Sequence, residues 1–273
     1  MKRLLTVLSL PALITLSSVA AADQGPSLRR GGDAVGSDTL GFSFDNTQSL
    51  GFMNFYFDYD DGEYDWLRIG HLVGLQASHN WLSSETPAPY SYDVKHYPAP
   101  GAGEVHTVHR EECTDVCELG IPVPPSGQVL VLAGFLFESH DGLEHQVHTI
   151  AIEPDPESGH IWVELDGDEE FSYDATVQYS YIPENEVNGG DVLSATGVSD
   201  PSNPRVELVW NELAGNTSPV LLNGFRIEYV DSVARSLSYL HVRAGGRKAN
   251  VWFHDEMGNE PFSATVHVVP TTY

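Results

Sequence analysis

The chain has 273 residues with 39 Asp plus Glu against 13 Lys plus Arg, a net charge of −26. Such an excess disfavours nucleic acid and anionic membrane surfaces as partners, because both repel an acidic surface. Lysine occurs only at positions 2, 95 and 248, which fits a halophilic-like surface made for salty water and fits equally an ordinary acidic secreted protein.

A basic start (Lys2, Arg3), an apolar run from Leu4 to Leu16 and the small residues Ala20, Ala21 and Ala22 predict a secretory signal peptide over 1–22. The expected location is therefore periplasmic or extracellular. The apolar run is shorter than the roughly 20 residues a membrane helix needs, so no membrane insertion is expected. Residues 23–39 are small and polar, with Gly31, Gly32 and Gly36, and read as a flexible leader.

From there the hydrophobic pattern alternates with period two, for example over 129–138, 148–153, 160–165, 176–182, 221–229, 239–243, 250–254 and 264–269. Gly and Pro fall between these runs, as turns require. The fold class expected is all-β, with antiparallel, jelly-roll-like sandwich modules in tandem. The modules are suggested by internal similarity. Gly134-Phe135-Leu136-Phe137-Glu138 matches Gly224-Phe225-Arg226-Ile227-Glu228 at a spacing of 90 residues (134 to 224), and the same ungapped spacing puts Ile150 on Leu240, Ile152 on Val242 and Trp162 on Trp252. Ala175-Thr176-Val177 then matches Ala264-Thr265-Val266 with the register slipped by one. A diverged copy begins at Phe55-Tyr56-Phe57-Asp58, and Tyr90-Ser91-Tyr92-Asp93 resembles Phe171-Ser172-Tyr173-Asp174. The expected organisation is a diverged module over 40–98 and two clear ones over 105–183 and 190–270. Trp162 and Trp252, at matching places, read as core. Trp66, Trp81 and Tyr90 lie in turn-rich sequence outside that pattern and are the ligand-facing candidates.

Cys113 and Cys117, the two cysteines of an exported chain, predict a local disulfide that pins a loop. The competing zinc reading would need His106 or His109 as further ligands. His106/His109 and His145/His148 share a His-x-x-His spacing, but residues three apart on a strand point to opposite faces, so both pairs read as solvent-facing polar residues. The acidic turns are the strongest chemical feature: Asp58, Asp60 and Asp61, then Asp166, Asp168 and Glu170, then Asp255 and Glu260. Dense loop carboxylates can supply the oxygens calcium requires, so these are candidate metal ligands, with calcium the possible cofactor; the alternative is that they are simply solvated.

No Gly-x-Ser-x-Gly elbow, zincin His-Glu-x-x-His, phosphate loop or dinucleotide fingerprint occurs in the sequence. The expectation is a secreted, non-catalytic protein binding an extracellular glycan or surface protein, or assembling with itself as a subunit of a surface fibre or layer. The alternative is a polysaccharide hydrolase or lyase that uses carboxylates on a β-sandwich.

Overall fold

The computed structural model describes residues 28–40, 49–59, 68–73, 78–83, 89–99, 104–140, 142, 145–155, 157–167, 171–189, 191–255 and 260–272; for 28–40, 49–50, 59, 78–83, 89 and 99 it describes the backbone alone. Its elements in chain order are β1 (Leu28–Leu40), β2 (Ser49–Tyr59), β3 (Arg68–Val73), β4 (Ser78–Ser83), β5 (Pro89–Ala99), β6 (His106–Thr114), β7 (Val116–Gly120), β8 (Gln128–Ser139) and β9 (Val147–Asp155). They continue with β10 (His160–Gly167), β11 (Ser172–Pro183), β12 (Leu193–Val198), β13 (Arg205–Val209), β14 (Val220–Tyr229), β15 (Tyr239–Gly245), β16 (Lys248–His254) and β17 (Phe262–Pro270). Two single-turn 3-10 helices, Glu184–Glu186 and Asn211–Leu213, complete the described elements. The fold is all-β and antiparallel, as the alternation predicts. Residues 28–39, expected as a leader, are instead strand β1, because β5 and β4 offer it backbone partners along its whole length.

The strands form three six-membered faces. Face I runs β13-β16-β15-β2-β5-β1, face II runs β1-β4-β3-β8-β11-β6, and face III runs β12-β17-β14-β9-β10-β7. Strand β1 belongs to two of them, pairing with β5 over 28–35 and with β4 over 36–40. One pairing rule recurs three times. The outer strands of a four-strand set pair with each other (β2 with β5, β8 with β11, β14 with β17), and the inner strands form a hairpin (β3–β4, β9–β10, β15–β16). Each hairpin then docks on the first strand of a different set: β3 on β8, β9 on β14, and β15 on β2. The sets therefore share one core and do not pack as separate sandwiches. Exchange of this kind gives each face a neighbour to cover its apolar side, which a set of this size could bury only marginally alone.

The register repeats as closely as the topology. Met53, Ala133 and Asn223 are each skipped by the partner strand, two residues before Phe55, Phe135 and Phe225. A β-bulge bends its strand at that point, and the three bends bring the three rings together. Phe55 lies 5.1 Å from Phe135 and 5.2 Å from Phe225, and Phe135 lies 5.8 Å from Phe225, ring centre to ring centre. All three are fully buried, and the main hydrophobic cluster extends from this triangle along every face.

The tryptophan match does not survive the pairing. Trp252 stands opposite His241 and Trp162 opposite Glu153. Taking the central phenylalanines as reference, the place of Trp252 on face III belongs to Glu164, which pairs with Ala151 beside Arg226. The cause is loop length: residues 156–159 separate β9 from β10, whereas only residues 246–247 separate β15 from β16, and the longer turn slides β10 by two positions. Trp162 is on the surface at 38% exposure because alternation along β10 turns Ile161, Val163 and Leu165 inward, and Trp252 is half-buried on an outer face, so neither is a core residue. Trp81 is the residue in register with Trp252, opposite Gly70 and beside Leu136.

Candidate functional site

Alternation on face I turns Phe55, Phe57, Leu240, Val242, Val251 and Phe253 inward and leaves a different set outside. One cross-strand row, one residue from each strand, reads Arg205, Trp252, His241, Tyr56, Asp93. Side chains opposite one another in antiparallel strands are close enough to touch, and here they form a continuous ladder. The Arg205 guanidinium lies 5.1 Å over the Trp252 ring, within the range of a cation–π contact. His241 stacks on Trp252 at 4.5 Å with planes 11° apart, and Tyr56 follows at 5.4 Å from His241. Tyr239 extends the ladder at 5.1 Å from Tyr56 and carries His254 stacked at 5.0 Å.

Hydrogen bonds fix the ladder's underside. The Asp93 carboxylate can only accept, so Asn54 turns its Nδ2 to Asp93 Oδ2 at 2.9 Å and its Oδ1 to His241. His241 Nε2–H therefore donates to Asn54 Oδ1 at 2.6 Å. Burial, reinforced by the Arg243 charge, pushes the His241 pKa down to about 4, which keeps the ring neutral at neutral pH. At the ladder's end Tyr56 donates its hydroxyl to Asp58 at 2.7 Å. At the other end Arg205 donates through Nε to Asn250 Oδ1 at 3.0 Å, and Glu207 accepts from both Arg205 and Lys248 at 2.9 Å.

Beside this ladder a cleft of about 230 Å³ opens among Asn54, Asp93, Lys95, Pro219, Arg243 and Gly246. Arg243 also borders a second, shallower hollow of about 350 Å³ with Lys248 and Asn250. Both lysines downstream of Lys2 thus stand on this one face. The linings of both depressions are largely polar and charged, with the aromatic rings standing beside them and not within them.

The residues singled out from sequence are distributed differently. Trp66, Asp60, Asp61, Asp168 and Glu170 lie outside the described residues, and Trp81 is described by its backbone alone. Tyr90 is fully buried beside Phe57 and Tyr92, because alternation along β5 turns it inward, so it cannot face a ligand. Asp58 is engaged by Tyr56 as above. Asp166 stands 3.2 Å from His148 Nδ1. Asp255 and Glu260 both face Arg235, at 4.0 and 3.5 Å, together with Asp231 at 2.5 Å. Asp255 and Glu260 therefore gather with Asp231 around a guanidinium, itself held 4.6 Å over Tyr229. Among the described residues no three His, Cys, Asp or Glu side chains converge as a metal site.

Cys113 and Cys117 have their sulfurs at bonding distance, 2.13 Å, at the corner where the chain leaves face II for face III. His145 and His148 are not solvent-facing: His145 is buried and stacked on Phe171 at 4.2 Å, and His148 reaches Tyr229 O at 3.1 Å. His106 packs on Tyr179, while His109 is exposed and meets Thr176 at 2.9 Å. The ladder residues Tyr56, Tyr239, His241 and Arg243 are absent from the sequence-based candidates. Their signal is the polar-aromatic alternation Tyr239-x-His241-x-Arg243 and Asn250-x-Trp252-x-His254, joined to the scarcity of lysine. The chain matches no protein-family model and no curated protein.

Proposed function

We propose that this is a non-catalytic glycan-binding protein that works outside the cytoplasm, with the outer surface of face I as its binding surface. The observation that carries this reading is the ring ladder Trp252–His241–Tyr56–Tyr239–His254 alongside a polar cleft. Because the two faces of Trp252 are covered by His241 and Arg205, the ladder meets a pyranose through its outward ring edges, an apolar ridge against which sugar C–H groups can pack. Asp93 and Asn250, part-exposed on the outer side of the face, are placed to meet sugar hydroxyls. Pre-stacked rings also lose little side-chain entropy when a ligand arrives.

The test is a glycan array read alongside a turnover screen on the polysaccharides that score. Saturable binding that Trp252→Ala abolishes, with no release of reducing ends or unsaturated products, is the expected result. Measurable cleavage would replace this reading with the carbohydrate-active enzyme.

A further inference from the structure

We propose that the glycan is acidic, and that the cleft between Lys95 and Arg243 receives the negatively charged ring substituent of a uronate-type sugar whose pyranose lies along the ladder. This rests on the glycan-binding reading and narrows it to a ligand class.

Three observations converge. The first is charge placement. Among the residues that line the ladder, the cleft and the hollow are Lys95, Arg205, Arg243 and Lys248, faced by Asp58, Asp93 and Glu207. A chain of net charge −26 thus brings together here, among the described residues, four cations against three acids. A local concentration of that kind in a strongly acidic protein is a site for an anion.

The second is the state of Arg243. It is exposed on the rim, and its guanidinium has no hydrogen-bond acceptor or ion-pair partner among the described residues, whereas Arg205, Arg226 and Arg235 each bind carboxylates. A planar fork of donors left open beside a cleft suits bidentate capture of a carboxylate or sulfate.

The third is comparison of the faces on one backbone pattern. The residue just before each central phenylalanine is Gly134 on face II and Gly224 on face III, and a Cβ at either would stand 2.6 Å from a neighbouring oxygen, of Gln178 and Ile152 respectively. On face I that place holds Asn54, which lines the cleft. Its cross-strand partner is Lys95 on face I, but Gln178 on face II and His267 on face III. The place of Arg243, one residue beyond Val242, falls on face III to Glu153, one residue beyond Ile152. The cationic cleft is therefore particular to face I and is not imposed by the fold.

The experiment is calorimetric titration of the full-length protein with two probes of equal length, an oligogalacturonate hexamer and a neutral galactan hexamer, at fixed ionic strength. The wild type should bind the acidic hexamer at least tenfold more tightly. Arg243→Ala and Lys95→Ala should each weaken the acidic hexamer about tenfold or more and leave the neutral one unchanged, and Arg243→Lys should recover only part of the loss. A sulfated galactan of the same length reports whether the site distinguishes carboxylate from sulfate. Equal affinity for the two hexamers, or affinity for the acidic one untouched by Arg243→Ala, overturns the inference while leaving the ladder reading intact. No binding of either hexamer, together with a blank array, overturns both. Thermal melts of each variant separate lost binding from lost folding.

Discussion

Truncation of the central ring triangle tests the fold most sharply. Phe135 is fully buried and has Phe55, Phe225, Phe137 and Phe52 at 5.1, 5.8, 5.8 and 6.2 Å. A buried Phe→Ala costs about 3–5 kcal/mol, with the cost rising as the surroundings fail to collapse. Three strands, each bent by its own bulge and held in its own sheet, cannot close around the void, so the upper half of that range applies to Phe135→Ala. For a chain of this size each kcal/mol lowers the melting midpoint by roughly 2–4 °C, giving a drop of about 8–20 °C. Urea unfolding followed by fluorescence, with an unchanged slope, provides the free energy directly. Phe55→Ala and Phe225→Ala should cost about as much. Because the rings touch, the Phe55/Phe135 double variant should depart from additivity by about 0.5 kcal/mol or more. The contrast is Trp162→Ala, which the ungapped alignment would place in the core but which at 38% exposure should cost about 1 kcal/mol or less. If any one of the three phenylalanines costs no more than Trp162, the shared-core account is wrong.

His96 is fully buried against Phe52, with Nε2 at 2.9 Å from Ala133 O, and burial lowers its pKa to about 4. The unfolded chain, with an ordinary His pKa near 6.5, binds the extra proton first, so stability should fall as pH drops from about 6.5 toward 4. His241, whose pKa burial also lowers to about 4, contributes in the same window, so the decline between about pH 6.5 and 5 should become about half as steep in His96→Gln; an unchanged slope would refute it. Removing the disulfide with Cys113→Ser/Cys117→Ser opens a loop of sequence separation 4, worth about 2 kcal/mol by loop-closure entropy, and should leave glycan affinity on face I unchanged in the titrations above. Arg235→Ala strips Asp231, Asp255 and Glu260 of their shared counterion and should cost about 1–3 kcal/mol, with the loss shrinking at high salt; a salt-independent loss would mean that ring packing on Tyr229 dominates.

The inward alternation of Phe135 with Phe137, and of Phe225 with Ile227, is legible in sequence because period two decides which side of a strand is buried. It does not decide which strand lies next door. The docking of β3 on β8, β9 on β14 and β15 on β2 depends on closing a common core, and no local pattern records it. The tryptophan misalignment has a similar origin, since two extra residues in the 156–159 turn shift β10 without altering its alternation. The candidate site was obscured for a related reason. Arg205, Trp252, His241, Tyr56 and Asp93 come from five strands, of which only β15 and β16 are neighbours in the chain, so the row exists only once the face is assembled. The acidic turns drew attention by composition, but composition does not show that Arg235 stands among Asp231, Asp255 and Glu260.

The ladder reading meets its most direct test in fluorine NMR of the full-length protein labelled with 5-fluorotryptophan, with Trp252→Phe used to assign the resonance of that ring. Titration with the galacturonate or galactan hexamer should move the Trp252 signal saturably while the buried Trp210 signal stays fixed. Saturable binding that moves the Trp162 signal and leaves Trp252 in place would put the sugar on another face and contradict the assignment.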